Sequence, residues 1–358
     1  MMVGLLTFQM GCATTPKKAE PTKEKWTSEE ALVIRKVGVF PKSFSPEKKE
    51  SVVIRWMQNR TAKTTLEIRK ENGELVKHFE KSYSEGDHEE SWNGQDETQK
   101  PVASGVYLYS FRNRDEEGHE TVYDPSLTTG GEELKVERFT FDKEKRSLDF
   151  VMPRAGRARL RIGLSPFVHL RTLLNWEPME AGAHTLTWDG LDDSGFIRAV
   201  DHPALSVNLA VFALPDNAIL VQGDEGEFLF HSAERPQKEL RPGLYLHAYH
   251  GRIHCRDISF QVEFPGSEED EEGLPVLKEN TLVRVHLTDK DKNFMVNQRF
   301  EIMFFVDTAF LFEEEEGQDP FNFEWNTKGL SPGEHLLTVN LIGYEDHYGV
   351  KTVRARKK

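Results

Sequence analysis

The chain is poor in cysteine and in long apolar runs, and each shortage excludes a class of protein. Only Cys12 and Cys255 occur among 358 residues, so no internal disulfide framework is expected, and the lack of a C-x-x-C-H motif excludes covalent c-type haem. No apolar run in the body of the chain approaches the roughly 20 residues that span a bilayer. The net charge is −14, whereas a nucleic-acid binder needs a basic face. Nucleic acid is therefore not an expected partner.

Signatures of common enzymes are missing as well. The sequence contains no nucleophile elbow, no H-E-x-x-H zinc motif, no P-loop and no glycine-rich dinucleotide fingerprint. With 60 acidic residues in the chain, no carboxylate pair stands out as a glycosidase pair. We therefore expect a non-catalytic protein that uses no cofactor.

The N-terminal residues resemble the end of a bacterial lipoprotein signal peptide. A short apolar stretch, residues 3–8, leads to Gly11-Cys12, although Gln9 stands where such signals usually carry leucine. Residues 13–25 are polar, rich in lysine and contain proline, as in a flexible tether. The resemblance implies a lipid on Cys12, and Ala13 after the cysteine is compatible with the outer membrane.

A short motif occurs twice. GDHEESWNGQD at Gly86–Asp96 recurs 96 residues later as GAHTLTWDGLD at Gly182–Asp192. A period of this length is typical of a small β-sandwich, not of a solenoid repeat. The tryptophan of each copy, Trp92 or Trp188, is predicted to fill a sandwich core. The glycine and aspartate that follow it are predicted to form a tight turn.

Alternating apolar residues predict strands around both copies of the motif. The segment Asn72-Gly73 lies between two such runs and predicts a β-hairpin turn. The predicted strands are residues 51–56, 64–69, 102–111, 148–152 and 158–162, and further runs occur at residues 258–262, 282–287, 300–306, 321–325 and 336–342.

Three segments of the first copy carry a family resemblance. Phe44-Ser45-Pro46, residues 88–96 and residues 101–107 together resemble the immunoglobulin-like domain of flagellar hook-capping proteins, which also occurs at the C-termini of secreted bacterial proteins. The resemblance covers about 37–115 and, in the second copy, 136–222. It implies an immunoglobulin-like fold and little about function, because this module decorates many unrelated proteins.

The C-terminal third predicts another sandwich. Residues 305–307, Pro320-Phe321, residues 325–327 and residues 332–335 resemble immunoglobulin-like modules of bacterial adhesion and cell-wall proteins. The fold expected for the chain is all-β, with about three tandem immunoglobulin-like β-sandwiches behind a flexible N-terminal tether. The expected segments are 1–36 for signal remnant and linker, 37–135 and 136–235 for two sandwiches, 236–274 for a bridging segment, and 275–358 for the third sandwich.

The expected function is that of a cell-envelope lipoprotein, anchored to the outer membrane through Cys12. It would serve as a structural or adaptor module that binds an envelope or extracellular protein complex. Rigid sandwiches suit this role, because they hold variable loops and offer sheet edges to a partner strand.

Two other functions stay open. A glycan- or peptidoglycan-binding protein would present exposed aromatic platforms, for which Trp26, Trp56 and Trp176 are candidates, although Trp56 is expected in a core. A metal-handling lipoprotein would use a cluster of potential ligands, but strand alternation favours different faces for them, so no metal site is predicted. The cluster consists of His247, His250, His254 and Cys255. Residues 289–293 begin like a calcium loop but lack its glycine and its final carboxylate, so a hairpin turn is expected there.

Overall fold

The computed structural model describes residues 31–223, 257–293, 295, 299–343 and 347–358. The described chain is all-β and forms tandem immunoglobulin-like sandwiches, as the sequence predicts. Each sandwich packs two sheets around its own apolar core.

The first sandwich contains β1 (Ile34–Phe40), β2 (Ser43–Phe44), β3 (Val52–Gln58), β4 (Ala62–Lys70), β5 (Leu75–Tyr83), β6 (Gly86–Trp92), β7 (Gly105–Arg114) and β8 (Glu120–Tyr123). The second contains β9 (Phe139–Asp142), β10 (Ser147–Met152), β11 (Gly156–Leu164), β12 (Val168–Met179), β13 (Gly182–Thr187) and β14 (Leu205–Ala213), followed by β15 (Ala218–Val221). The third contains β16 (Phe260–Glu263), β17 (Val276–Leu277), β18 (Asn280–Leu287), helix α1 (Asp289–Lys292), β19 (Phe300–Val306), β20 (Ala309–Gly317), β21 (Phe321–Asn326), β22 (Gly333–Gly343) and β23 (Tyr348–Lys357). Short 3-10 turns lie at Pro46–Lys48, Pro125–Leu127 and Ala199–Asp201.

Strand alternation and turn chemistry explain the first sandwich. In β4 the buried side chains are Ala62, Thr64, Leu66 and Ile68, every second residue. The predicted hairpin at Asn72-Gly73 is confirmed, since β4 and β5 pair across it and Gly73 takes a φ of 86°. The two sheets have the orders β1-β3-β6 and β2-β15-β7-β4-β5.

The repeated motif makes the same contacts in both copies. Trp92 and Trp188 are buried, and each indole Nε1 donates a hydrogen bond to the carbonyl three residues later, at 2.9 and 2.8 Å. His88 and His184 each bond through Nε2 to the carbonyl of the residue four positions earlier, at 2.7 and 2.9 Å. His335 makes the same contact at 2.8 Å in the third sandwich. These contacts indicate a structural role for the three histidines.

Gly94, in the turn after Trp92, offers a test of the motif. A Cβ there would lie 2.4 Å from Pro46 Cγ at a φ of +75°, whereas a Cβ on Gly195, at +76°, would meet nothing within 4 Å. We expect Gly195→Ala to lower the free energy of unfolding by roughly 1–2 kcal/mol, the cost of a left-handed backbone for alanine. Gly94→Ala should cost about 1–3 kcal/mol more because it overpacks the turn. Urea denaturation measures both, and equal losses would contradict the steric argument.

Strand β15 crosses from the second sandwich to the first. It lies between β2, to which it is parallel, and β7, to which it is antiparallel. The sequence places Ala218–Val221 in the second sandwich, whereas the structure places this strand in a sheet of the first. The second sandwich therefore lies, in chain order, between two strands of the first.

The second and third sandwiches share contacts. The second has sheets β13-β10-β9 and β12-β11-β14, and the third has β16-β18-β21 and β17-β23-β22-β19-β20. Met303 and Phe305 of β19 pack with the core of the second sandwich. Strand β16, which the sequence placed in the bridging segment, pairs with β18 of the third sandwich. The domain limits given above otherwise stay a prediction.

The hairpin turn expected at residues 289–293 is wrong. These residues include helix α1, and the strands on either side, β18 and β19, belong to different sheets. The buried Asp291 accepts a hydrogen bond from the Ser259 N–H at 2.8 Å, so its carboxylate has a structural partner.

Candidate functional site: the arginine row and the cleft between sandwiches

Strand β11 carries a row of three arginines on one face. Because side chains alternate along a strand, Ala158, Leu160 and Ile162 enter the core of the second sandwich and are fully buried. Arg157, Arg159 and Arg161 lie between them and share the opposite face. The residues around this row connect all three sandwiches.

Arg157 connects the second sandwich to the first. Its Nε lies 3.3 Å from Glu71 Oε1, its Nη2 also contacts Glu71 Oε2, and its Nη1 donates to the Trp176 carbonyl at 2.7 Å. Both charged side chains are buried. Glu71 belongs to the turn between β4 and β5, so a buried ion pair joins the first hairpin of the chain to the face of β11.

Arg159 and Arg161 continue the row towards the third sandwich. The Arg159 guanidinium carbon lies 4.8 Å from the centroid of the Trp176 ring, and that of Arg161 lies 3.6 Å from the Tyr348 ring. Both distances are those of cation–π contacts. Tyr348 is the first residue of β23, so Arg161 contacts the third sandwich at the start of that strand.

A cleft of about 290 Å³ opens beside these two arginines. Its wall includes the hairpin at residues 165–167, Ser206 and Asn208 of β14, and Tyr348. Asp257 lies within electrostatic range of both guanidinium groups and accepts a hydrogen bond from Thr172 Oγ1 at 3.3 Å. Guanidinium groups donate paired hydrogen bonds to carboxylates and phosphates, so the cleft is suited to an acidic group.

His169 closes the cleft at the sandwich junction. Its backbone N–H donates to Asn340 Oδ1 at 2.7 Å, and Asn340 Nδ2 donates to the His169 carbonyl at 2.8 Å. Its imidazole packs edge-on against Tyr348 and bonds to Thr172 Oγ1 at 3.2 Å. Burial, together with the positive charges of Arg161 and Arg159, lowers the pKa of His169 to about 3.

The junction should therefore weaken in acid. The unfolded chain binds a proton at His169 below about pH 6.5, whereas the folded chain does so only near pH 3, so stability is lost as the pH falls through this window. Between pH 7.5 and 5, we expect the free energy of unfolding of the wild type to fall by about 2 kcal/mol more than that of His169→Gln. Urea denaturation at the two pH values measures this.

His202→Gln, in a half-buried turn position, serves as the matched control. It should reproduce the wild-type loss in acid, since His202 is not part of the junction. Parallel pH dependence in the wild type and His169→Gln would show that His169 is not held neutral by the fold.

The structure describes only some of the candidate residues predicted from the sequence. Cys12, Trp26 and the cluster of His247, His250, His254 and Cys255 lie outside the described residues. Trp56 and Trp176 are each 1% exposed, so neither serves as an aromatic platform for a glycan. Trp56 lies in the first core, as expected, while Trp176 packs against Phe212.

One group in the described part of the chain has the composition of a metal site. Ligand atoms of Asp115, Glu117 and His119 lie within 4.8 Å of one another. However, Arg60 Nη1 lies 3.3 Å from Asp115 Oδ2 and 3.5 Å from Glu117 Oε2. Asp115 Oδ1 also accepts the His119 backbone N–H at 2.8 Å. The guanidinium supplies the positive charge here, and the group is best explained as the turn between β7 and β8.

Sequence reasoning predicted the strand at residues 158–162 but not the role of its arginines. The signal was present, because alternation places all the arginines of A-R-L-R-I on one face. Their partners, Glu71, Trp176 and Tyr348, are distant in sequence and could not be identified from it.

No helix in the described residues is long and apolar enough to cross a membrane.

Comparisons with known proteins find weak structural neighbours. No protein-family model matches the sequence, and no curated protein matches it. FlgD from P. aeruginosa is similar with 17% identity over 34% of this chain and 89% of that chain, at a TM-score of 0.21.

Two further neighbours are arrays of domains. The fibronectin(III)-like modules of Clostridium thermocellum CbhA align with 9% identity over 90% of this chain and 94% of theirs, at a TM-score of 0.20. A tetra-tandem repeat from the extending region of a large adhesion protein aligns with 10% identity over 92% and 74%, at a TM-score of 0.21. Likenesses at this level indicate neither a ligand nor a partner.

Proposed function

We propose that the chain is a non-catalytic cell-envelope lipoprotein that acts as a structural adaptor for another envelope or extracellular protein. The observation that carries the proposal is the way its sandwiches are joined. Strand β15 lies in the first sheet, the Glu71–Arg157 ion pair joins the first sandwich to the second, and Phe305 of the third packs with the second core. Sandwiches tied at several points hold binding surfaces at fixed separations, which is what an adaptor requires.

The anchor in this proposal is a lipid on Cys12, as the sequence resemblance implies. The polar residues 13–25 would then hold the sandwiches away from the outer membrane. The motif residues support a structural role, because their tryptophans and histidines are engaged within the fold. Two of the three candidate platforms of the glycan-binding alternative, Trp56 and Trp176, are buried, which favours the adaptor.

The test is a pull-down from native membranes with the full chain and with Cys12→Ala as the matched control. We expect the wild type to carry a diacylglyceryl mass and to capture a reproducible envelope protein, while the variant is unlipidated and released from the membrane. A wild type without lipid would contradict the anchor. Capture of glycan fragments without any protein would contradict the adaptor function.

A further inference from the structure

Among the residues that the structure describes, part of one edge of strand β14 has no neighbouring strand, unlike the edges of its counterparts in the other sandwiches. In the first sandwich, β7 lies between β4 and β15, and in the third, β22 lies between β19 and β23. Within the described residues, the one strand that pairs with β14 is β11. On its other side, among residues that the structure describes, the backbone of 131–134 reaches Val211 and Ala213 and no further.

The open part of the edge can be assigned to particular backbone groups. Val211 and Ala213 hydrogen-bond to residues 131–134, away from β11. The β14–β11 register is regular throughout, and an antiparallel strand turns alternate residues to alternate sides. Val207 and Leu209 therefore direct their N–H and C=O groups to the open edge. Such a row of groups is a template for another strand.

The side chains at this edge are also of the kind that allows another strand to pair with β14. Leu205, Val207 and Leu209 are half-buried and pack against the second core, so a neighbouring strand would extend that core. The segment 205–210, Leu-Ser-Val-Asn-Leu-Ala, contains neither charge nor proline. Charged residues and proline are the usual means by which proteins block pairing at an open edge.

The outer face of the edge borders the cationic cleft. Ser206 and Asn208 point outwards from β14 and line the cleft together with Arg159 and Arg161. A strand paired with β14 would place alternate side chains over the second core and the others beside this cleft. Apolar residues fit the first set and carboxylates fit the second.

We infer that the β14 edge receives an extended segment of a partner protein in which apolar residues alternate with aspartate or glutamate. This inference rests on the proposed adaptor function and names the chemistry of the partner. Main-chain hydrogen bonds supply affinity in this mode of recognition, and alternate side chains supply specificity.

The test uses a labelled, end-blocked nonapeptide that alternates valine and glutamate, titrated against the full chain by fluorescence anisotropy. Hydrogen exchange of the Val207 and Leu209 amides is followed in parallel. We expect saturable binding that slows exchange at both amides. A valine–lysine peptide should bind about tenfold more weakly because of its charge, and a peptide N-methylated at alternate residues should lose binding.

Two variants at one exposed position form the matched pair. Asn208→Glu should weaken the valine–glutamate peptide about tenfold, and Asn208→Lys should retain or strengthen its binding. Their circular dichroism should equal that of the wild type, because the side chain at 208 is exposed.

Several results would overturn the inference. Equal binding of all three peptides would show that the peptide neither pairs with β14 as a strand nor is selected by its charge. The amides of Val207 and Leu209 could instead be protected from exchange in the free chain and become exposed when residues 224–256 are replaced by a flexible linker. That result would show that the chain covers its own edge. The pull-down could also capture an envelope protein equally well with the wild type and with Asn208→Glu. That result would reject the β14 edge as the binding site but would still support the adaptor function.

Discussion

A fragment of residues 31–130 should remain unfolded in buffer, whereas the same fragment fused to residues 215–223 through a short glycine–serine linker should fold. The four residues of β15 are all buried, and Ile219 and Val221 lie in the core of the first sandwich. Burying Ile219 and Val221 contributes roughly 1.5–3 kcal/mol each, and β15 also pairs with β2 and β7 through main-chain hydrogen bonds. That sum is comparable to the whole stability of a small domain, about 5–15 kcal/mol.

The fusion is geometrically simple, because the two ends already meet. A Cβ built on Gly130 would lie 2.8 Å from the backbone nitrogen of Pro215. Asn217 then restores two contacts to β7, since its Nδ2 donates to the Tyr109 carbonyl at 2.7 Å and its carbonyl accepts the Tyr109 N–H at 3.2 Å. Far-UV circular dichroism and urea denaturation measure the folding of each fragment.

The control fusion carries Ile219→Asp and Val221→Asp. It should behave as the unfused fragment does, because two carboxylates would enter the apolar interior without partners. A cooperative transition of the unfused fragment, at the midpoint of the fusion, would show that the first sandwich does not need β15.

Local pattern was sufficient to predict the strands of the repeated motif and the roles of its tryptophans. Alternation, Asn-Gly turn chemistry and the recurrence of the motif are properties of neighbouring residues, and the structure confirms the strands that they predict. The run Ala-Ile-Leu-Val at residues 218–221 also has the composition of a buried strand. Which sheet it joins depends on pairing with β7, more than a hundred residues earlier, and local pattern contains no information on that choice.

The candidate site was harder to predict for the same reason. Glu71 lies in a hairpin turn that the sequence predicts well, and an acidic residue in such a turn is expected to be solvated. Its buried partner Arg157 comes from the second sandwich, 86 residues later in the chain. Within the described residues, the open edge of β14 is likewise a property of the assembled sheet, and it is seen only when the three sandwiches are compared.

Removing the carboxylate of Glu71 should cost about 3–5 kcal/mol of unfolding free energy, the usual penalty for breaking a buried ion pair. Glu71→Ala leaves the Arg157 guanidinium buried without its charge partner, although Nη1 keeps its bond to the Trp176 carbonyl. Urea denaturation at neutral pH measures the loss. Glu74→Ala in the same turn is the control, since Glu74 is largely exposed and pairs with Lys70, and it should cost less than about 1 kcal/mol.

A double replacement separates the effect of the pair from that of the charge that is left behind. Replacing both residues by methionine fills the same space with apolar atoms, and such replacements are often neutral or stabilising. We therefore expect Glu71→Met with Arg157→Met to be more stable than Glu71→Ala by at least about 2 kcal/mol. If the double variant were as unstable as the single one, the pair would be required for the junction itself. In that case the contact between the first two sandwiches would depend on its hydrogen bonds, and not merely on the absence of an unpaired charge.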